Sequence, residues 1–236
     1  MKVRINKYLS NIGYCSRREA DRLINERRVK INDRYADLGS IIDDSEDEIS
    51  IDGNLVNRTN EKIYLKFYKP IGVECTTDIN NPYNIISYIN YNRRIYPIGR
   101  LDKNSEGLIL LTNDGNIVNP ILKSSNNKEK EYIVRVNKPI DDKTIRLMEK
   151  GVPILDQITK PCVIKRLGND LFNITITQGL NRQIRRMCEY FDLTVVKLKR
   201  IRIINIELGN MKKGELIPLS FNEINELKKI IGYNDE

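Results

Sequence analysis

The chain has 236 residues, enough for two domains with cores of their own, and carries 40 Lys and Arg against 32 Asp and Glu, a formal charge of +8. It contains no histidine, which excludes triads and metal sites built on imidazole and leaves Asp, Glu, Cys, Lys and Tyr to carry chemistry. The basic balance favours a polyanionic partner, nucleic acid before membrane. Cys15, Cys75, Cys162 and Cys188 form no Cys-x-x-Cys pair, so reduced, mostly buried thiols are expected rather than zinc or redox motifs. The start of the chain lacks an apolar signal core and no stretch is long enough to span a bilayer, so a soluble, cytoplasmic protein without membrane contact is expected.

Residues 1–30 hold nine Lys/Arg against three Asp/Glu, and residues 31–58 hold two against eight. Ile5, Tyr8, Leu9 and Ile12 make one helical stripe that stops at Gly13. Ser16-Arg17-Arg18-Glu19 reads as a capping box opening a second helix, with Ala20, Leu23 and Ile24 inward and Arg17, Arg18, Arg22 and Arg28 outward. Strands are expected over 29–32, with a turn at Asp33-Arg34, and over 49–51, an edge strand ending in the hairpin turn Asp52-Gly53. A basic helix face beside a one-sided charge split suits phosphate tracking, which positions RNA without reading its sequence. These segments, Arg4-Ile5-Asn6-Lys7-Tyr8-Leu9, residues 16–24 and residues 28–32, resemble an S4-type RNA-binding domain. The resemblance implies RNA contacts from Arg4, Lys7, Arg17, Arg18 and Arg22.

Residues 57–62 are polar without periodicity and read as a linker, dividing the chain into a module of 1–58 and a second domain of 63–236. There, strands are predicted over 63–68, 73–76, 108–112, 128–136, 163–167, 171–176 and 195–198. Helices are predicted over 141–150, 181–191 and from the capping box at Ser220 and Glu223 to about 231; residues 117–122 suit a short helix and 85–89 a short helix or strand. Strands outnumber helices and do not alternate with them, so the domain is α+β with a mixed, mainly antiparallel sheet.

The loop Gly99-Arg100-Leu101-Asp102-Lys103-Asn104-Ser105-Glu106-Gly107 lies between two apolar segments, where sites commonly sit. A second basic concentration, residues 180–213, has nine Lys/Arg against three Asp/Glu. On a helix, Arg182 and Arg186 are i,i+4 neighbours, while Arg185 lies near the apolar stripe of Ile184, Met187, Cys188 and Phe191 and would need an acidic partner, for which Asp102 is the candidate.

Lys69-Pro70-Ile71-Gly72, the Gly99-Arg100-Leu101-Asp102 loop, Lys130-Glu131-Tyr132, Gln178-Gly179-Leu180-Asn181-Arg182-Gln183-Ile184-Arg185-Arg186-Met187 and Leu198-Lys199-Arg200-Ile201-Arg202-Ile203 occur in this order. Together they resemble the RsuA-type ribosomal RNA pseudouridine synthases, most closely the RluF-like enzymes of the large subunit, which also carry an S4 domain in front. The resemblance implies that Asp102 is the catalytic aspartate, that Tyr132 stacks on the target base and that Arg185 pairs with Asp102. It also implies that Arg100 helps hold the flipped nucleotide, that Leu198 and Ile203 pack about the pocket, and that Arg182 and Arg186 contact RNA. No metal or organic cofactor is implied, the fold has a central cleft, and the protein acts as a monomer on 23S rRNA, with a tRNA anticodon uridine as a second substrate.

The chemistry is consistent with those roles. Turning uridine into pseudouridine breaks N1–C1′, rotates the base and forms C5–C1′, and one ionised carboxylate serves either as nucleophile at C1′ or as base at the ribose. A neighbouring Arg orients it and favours its charged form, and an aromatic offers a surface for a base taken out of its helix. Two competing readings are a carboxylate pair of Asp102 with Glu106 doing glycosidase-type chemistry, and a non-catalytic RNA-binding assembly factor on the same fold.

Overall fold

The structure, a computed structural model of the chain, describes residues 2–56 and 61–233. Most of the expected linker, residues 57–60, lies outside the described residues. In chain order the elements are β1 (Lys2–Arg4), α1 (Ile5–Asn11), α2 (Arg17–Asn25), β2 (Val29–Ile31), β3 (Arg34–Tyr35), β4 (Ile41–Asp43), β5 (Ile49–Ile51) and β6 (Asn54–Leu55). There follow β7 (Tyr64–Lys69), α3 (Ile85–Ile89), β8 (Tyr96–Ile98), β9 (Glu106–Thr112), α4 (Val118–Leu122), β10 (Lys130–Val136), α5 (Asp142–Lys150), β11 (Pro153–Ile154) and β12 (Gln157–Ile158). The chain closes with β13 (Val163–Arg166), β14 (Leu171–Ile176), α6 (Gln183–Glu189), β15 (Val195–Ile203), β16 (Ile206–Glu207), β17 (Leu216–Pro218) and α7 (Phe221–Ile231). Two compact units result: residues 1–63 with 91–96 and 112–115, and residues 64–90, 97–111 and 116–236.

In the first unit, α1 and α2 bury Ile5, Tyr8, Leu9, Ala20, Leu23 and Ile24 against a four-stranded sheet of order β3-β2-β5-β6. The Ser16 hydroxyl caps α2 by accepting from the Glu19 N–H at 3.1 Å. The reciprocal half of the expected capping box is missing, because the Glu19 carboxylate is taken by Arg22 at 2.5 Å. β5 lies inside the sheet rather than at its edge, since the Asp52-Gly53 turn, both residues at positive φ, returns the chain as β6 alongside it. The turn after β2 falls at Asn32-Asp33, one residue earlier than expected, because Asn32 takes the left-handed conformation that asparagine tolerates.

The second unit is built on a nine-stranded sheet whose main path is β13-β14-β10-β15-β9-β7-β17. β15 runs parallel to β9, while β13–β14, β14–β10, β10–β15 and β7–β17 are antiparallel, the mixed, mainly antiparallel α+β arrangement expected. All seven residues of β9 are buried, as its unbroken apolar run requires. Leu108 and Leu110 join Tyr64, Tyr68, Ile203, Leu227 and Ile231 in one core. Residues 73–76 are not a strand: only Glu74 makes an isolated bridge, to Asn84, because the segment is a loop held to the Gly99–Asp102 stretch. The helix expected from 181 begins at Gln183, and the hairpin β11–β12 was invisible as two-residue strands.

Candidate active site

The loop after β8 is fixed before its side chains are considered. The Leu101 N–H donates to Cys75 Sγ at 3.3 Å, the Gly72 N–H donates to the Lys103 carbonyl at 2.9 Å, and the Ser105 N–H donates to the Asp102 carbonyl at 3.0 Å. Asp102 is thereby presented at a turn, its side chain one-third exposed, on the wall of a cleft of about 650 Å³. Arg100, Tyr132, Arg182, Leu198 and Ile203 line the same cleft, so six of the residues singled out in the second unit converge there from four distant segments.

Arg185, the third residue of α6, reaches Asp102 from behind. Its Nε lies 3.7 Å from Asp102 Oδ2, an ionic contact, and no acceptor is hydrogen-bonded to that Nε. The tips of the guanidinium are tied to two carbonyls and a hydroxyl: Nη1 donates to the Val195 carbonyl at 3.1 Å, and Nη2 to the Asn104 carbonyl at 2.8 Å and Ser105 Oγ at 3.3 Å. Burial, with the neighbouring Arg182 charge, lowers the Arg185 pKa from its ordinary value, while Asp102 opposes the shift. A guanidinium remains protonated under such a shift, so Asp102 faces a fixed cation whose orientation is set by carbonyls.

Tyr132 stands on β10, almost buried, with its hydroxyl 3.5 Å from Nη1 of Arg200. Arg200 is the residue that sequence reasoning missed. It is 3% exposed, donates from Nε to the Leu108 carbonyl at 2.7 Å, lies 3.5 Å from the Arg100 carbonyl, and leaves Nη2 buried without an acceptor. Strand period two predicts that Leu198 and Arg200 share a face, and that Ile203 lies on the other. A register shift opposite Glu131/Tyr132 resolves this: Tyr132 pairs with Arg200 and Glu131 with Arg202, so Ile201 is the extra residue of a bulge. Beyond it the alternation inverts, and Ile203 joins Leu198 and Arg200 at the cleft.

Two further cations surround this wall. Lys69 is fully buried, its Nζ donating to the carbonyls of Pro70 at 2.9 Å and Val73 at 2.8 Å, and burial pulls its pKa down to about 8. Lys130, two residues before Tyr132 and on the cleft, is lowered to about 8 by burial and by the Arg200 charge.

The remaining singled-out residues divide. Arg182 sits outside α6 at φ +50 as its N-cap, so it does not share a helical face with Arg186; it lines the cleft with Nη2 3.9 Å from Glu189. Arg186 is turned onto the Asn181 carbonyl and side chain at 3.1 and 3.3 Å and does not line the cleft. In the first unit, Arg4, Lys7, Arg17 and Arg18 are exposed without an ion-pair partner among the described residues, whereas Arg22 is held by Glu19 and Glu26. Glu106 does not join Asp102 as a second carboxylate. It is fully buried in β9, off the cleft, and held by Lys213 at 2.7 Å and Lys197 at 3.3 Å; burial would raise its pKa, but the two lysines override that and lower it. The glycosidase reading therefore fails.

Glu74 also lines the cleft but is paired with Lys103 at 3.0 Å, whereas Asp102 has the buried Arg185 behind it; with an aromatic ring in the wall, this suits chemistry at a sugar whose base has been swung out. Residues 63–190 match the family described as RNA pseudouridylate synthase, and residues 3–49 match the S4 domain. The chain belongs to the RNA pseudouridine synthases and is an isomerase acting on RNA. It is 46% identical over 231 residues to the dual-specificity RNA pseudouridine synthase RluF of Salmonella typhi, covering 97% of this chain and 80% of that one. It is 33% identical over 236 residues to ribosomal large subunit pseudouridine synthase B of Bacillus subtilis, with 96% of each covered. A crystal structure of a pseudouridylate synthase superposes with a TM-score of 0.69 at 29% identity, covering 95% of this chain and 99% of that one. No described helix is long and apolar enough to cross a membrane.

Proposed function

We propose that this isomerase modifies a uridine of large-subunit, 23S, ribosomal RNA, with Asp102 as the group that acts on the ribose. The observation that carries the assignment is the Asp102 carboxylate on the cleft wall with Arg185 Nε 3.7 Å behind it. A volume of about 650 Å³ suits a swung-out nucleotide, since small-ligand sites span roughly 300–1,000 Å³. Tyr132 stacks on the base, Arg185 orients the carboxylate, and Arg100 and Arg182 hold phosphates at the cleft. Leu198 and Ile203 form the apolar wall, and the segment of residues 1–58 docks the RNA. The Bacillus relative supports the large-subunit target by its name, and the dual specificity named for the Salmonella relative supports a second RNA, which we assign to a tRNA anticodon uridine.

The test is tritium release from C5-labelled uridine in deproteinised 23S rRNA and in tRNA. Asp102→Asn is expected to lower the rate by roughly 10²–10⁴-fold or more while RNA affinity is kept. Equal release by the two proteins would overturn the role of Asp102. Release from tRNA alone would overturn the ribosomal target.

A further inference from the structure

Beside the cleft lies a second hollow of about 470 Å³, and Lys103 lines both. Its other walls are Ile71, Pro82, Tyr83 and Tyr88. Ile71 and both tyrosines are more than half exposed, so three large apolar side chains stand in water within one concavity. They are not loose. Tyr88 is tilted against Phe67 at 5.9 Å between ring centroids. The turn carrying Tyr83 is fixed by Asn84, which caps α3 through Ser87 at 2.7 Å and donates to the Asn81 carbonyl at 2.8 Å. Lys103 is held in place from the other side, by Glu74 at 3.0 Å, and its ammonium lies 3.5 Å from the centre of the Tyr83 ring.

We infer that this hollow is a subsite for the base of a nucleotide adjoining the target uridine, stacked on Tyr83 or Tyr88, with Lys103 at the phosphate joining the two nucleotides. The inference rests on assigning the neighbouring cleft to the target uridine. Three features select RNA as the occupant. The hollow and the cleft share a single lining side chain, that side chain is a cation, and two of the three exposed apolar groups are flat rings, on which any base can stack. Extruding the target leaves a neighbouring base without its stacking partner, and a preformed aromatic surface beside the cleft replaces that partner.

The experiment uses an RNA hairpin spanning the modified uridine, with 2-aminopurine or an abasic site placed at each neighbouring position in turn. With the full-length protein, 2-aminopurine fluorescence at one neighbour should fall on binding, and an abasic site there should raise KM about tenfold with kcat little changed. Tyr83→Ala combined with Tyr88→Ala should raise KM similarly on intact RNA and gain no further loss from the abasic site, whereas the two Phe variants should behave as wild type. The abasic arm needs no change to the protein, so misfolding of the variants cannot obscure the result. If wild type forms pseudouridine and is indifferent to abasic sites at both neighbours, the subsite is overturned and the cleft assignment stands. If wild type forms none in this hairpin or in whole 23S rRNA, both are overturned.

Discussion

At the residue scale, the site is defined by cations held by carbonyl oxygens. Arg185, Arg200 and Lys69 are each buried, and each donates to backbone carbonyls. Among the described residues, Asp102 is the one carboxylate that meets any of the three, through Arg185 at 3.7 Å. The arrangement has a measurable cost. Lys69 titrates near 8 in the folded protein against an ordinary value of 10.5. Between those values the unfolded chain holds this proton and the folded chain does not, so the contribution of Lys69 makes folding more favourable as pH rises through that window. The gain amounts to about 3 kcal/mol at most, and Lys130 adds to it with the same sign. Urea midpoints compared at pH 7.5 and 10 should show Lys69→Met losing that rise. Asp102 and Tyr132 were legible in the sequence because their motifs stand in the right order at the right spacing. Arg200 was not: it shares the face that alternation gives Leu198, but its burial and its hold on the Leu108 carbonyl come from the pairing of β15 with β9, 92 residues away, which spacing along the chain does not show.

At the scale of elements, the decisive contact is the parallel pairing of β9 with β15. Gly107, at φ +112, faces Arg200 so closely that a Cβ there would lie 2.2 Å from the Arg200 carbonyl oxygen and 2.6 Å from its nitrogen. Gly107→Ala must push β15 away and take Arg200 and Leu198 out of the cleft wall. It should cost more than about 4 kcal/mol in thermal unfolding, where Gly13→Ala, with open space around its Cβ, should cost only about 1–2 kcal/mol for its left-handed backbone. Most elements were legible from periodicity and caps, as with α5, capped by Asp141 through the Thr144 N–H at 2.6 Å, and α7 with its complete capping box. The misses were segments stabilised by distant partners. Residues 73–76 have strand-like composition but are organised by Leu101, and Lys213, outside every predicted element, reaches Glu106 in β9.

At the scale of the whole molecule, the +8 charge matters less than which cations remain available. Arg22 and Arg28 are occupied by carboxylates, while Arg4, Lys7, Arg17 and Arg18 are exposed without ion pairs among the described residues. Replacing those four by alanine in the full chain should flatten the slope of log Kd against log salt for RNA by about 3, whereas Arg22→Ala should barely change it. The Arg22 pairs with Glu19 and Glu26 follow from helical spacing, whereas Asp52 reaches Arg28 across 24 residues only through the fold. The cleft wall also has a kinetic consequence. Arg185 meets Asn104 across 81 residues of chain, and Arg200 meets Leu108 across 92. Segments so far apart close late, after local helices and hairpins have formed. In refolding from denaturant, isomerase activity should therefore return more slowly than the far-ultraviolet helical signal. A protein caught part-way would hold much of its secondary structure and none of its catalysis.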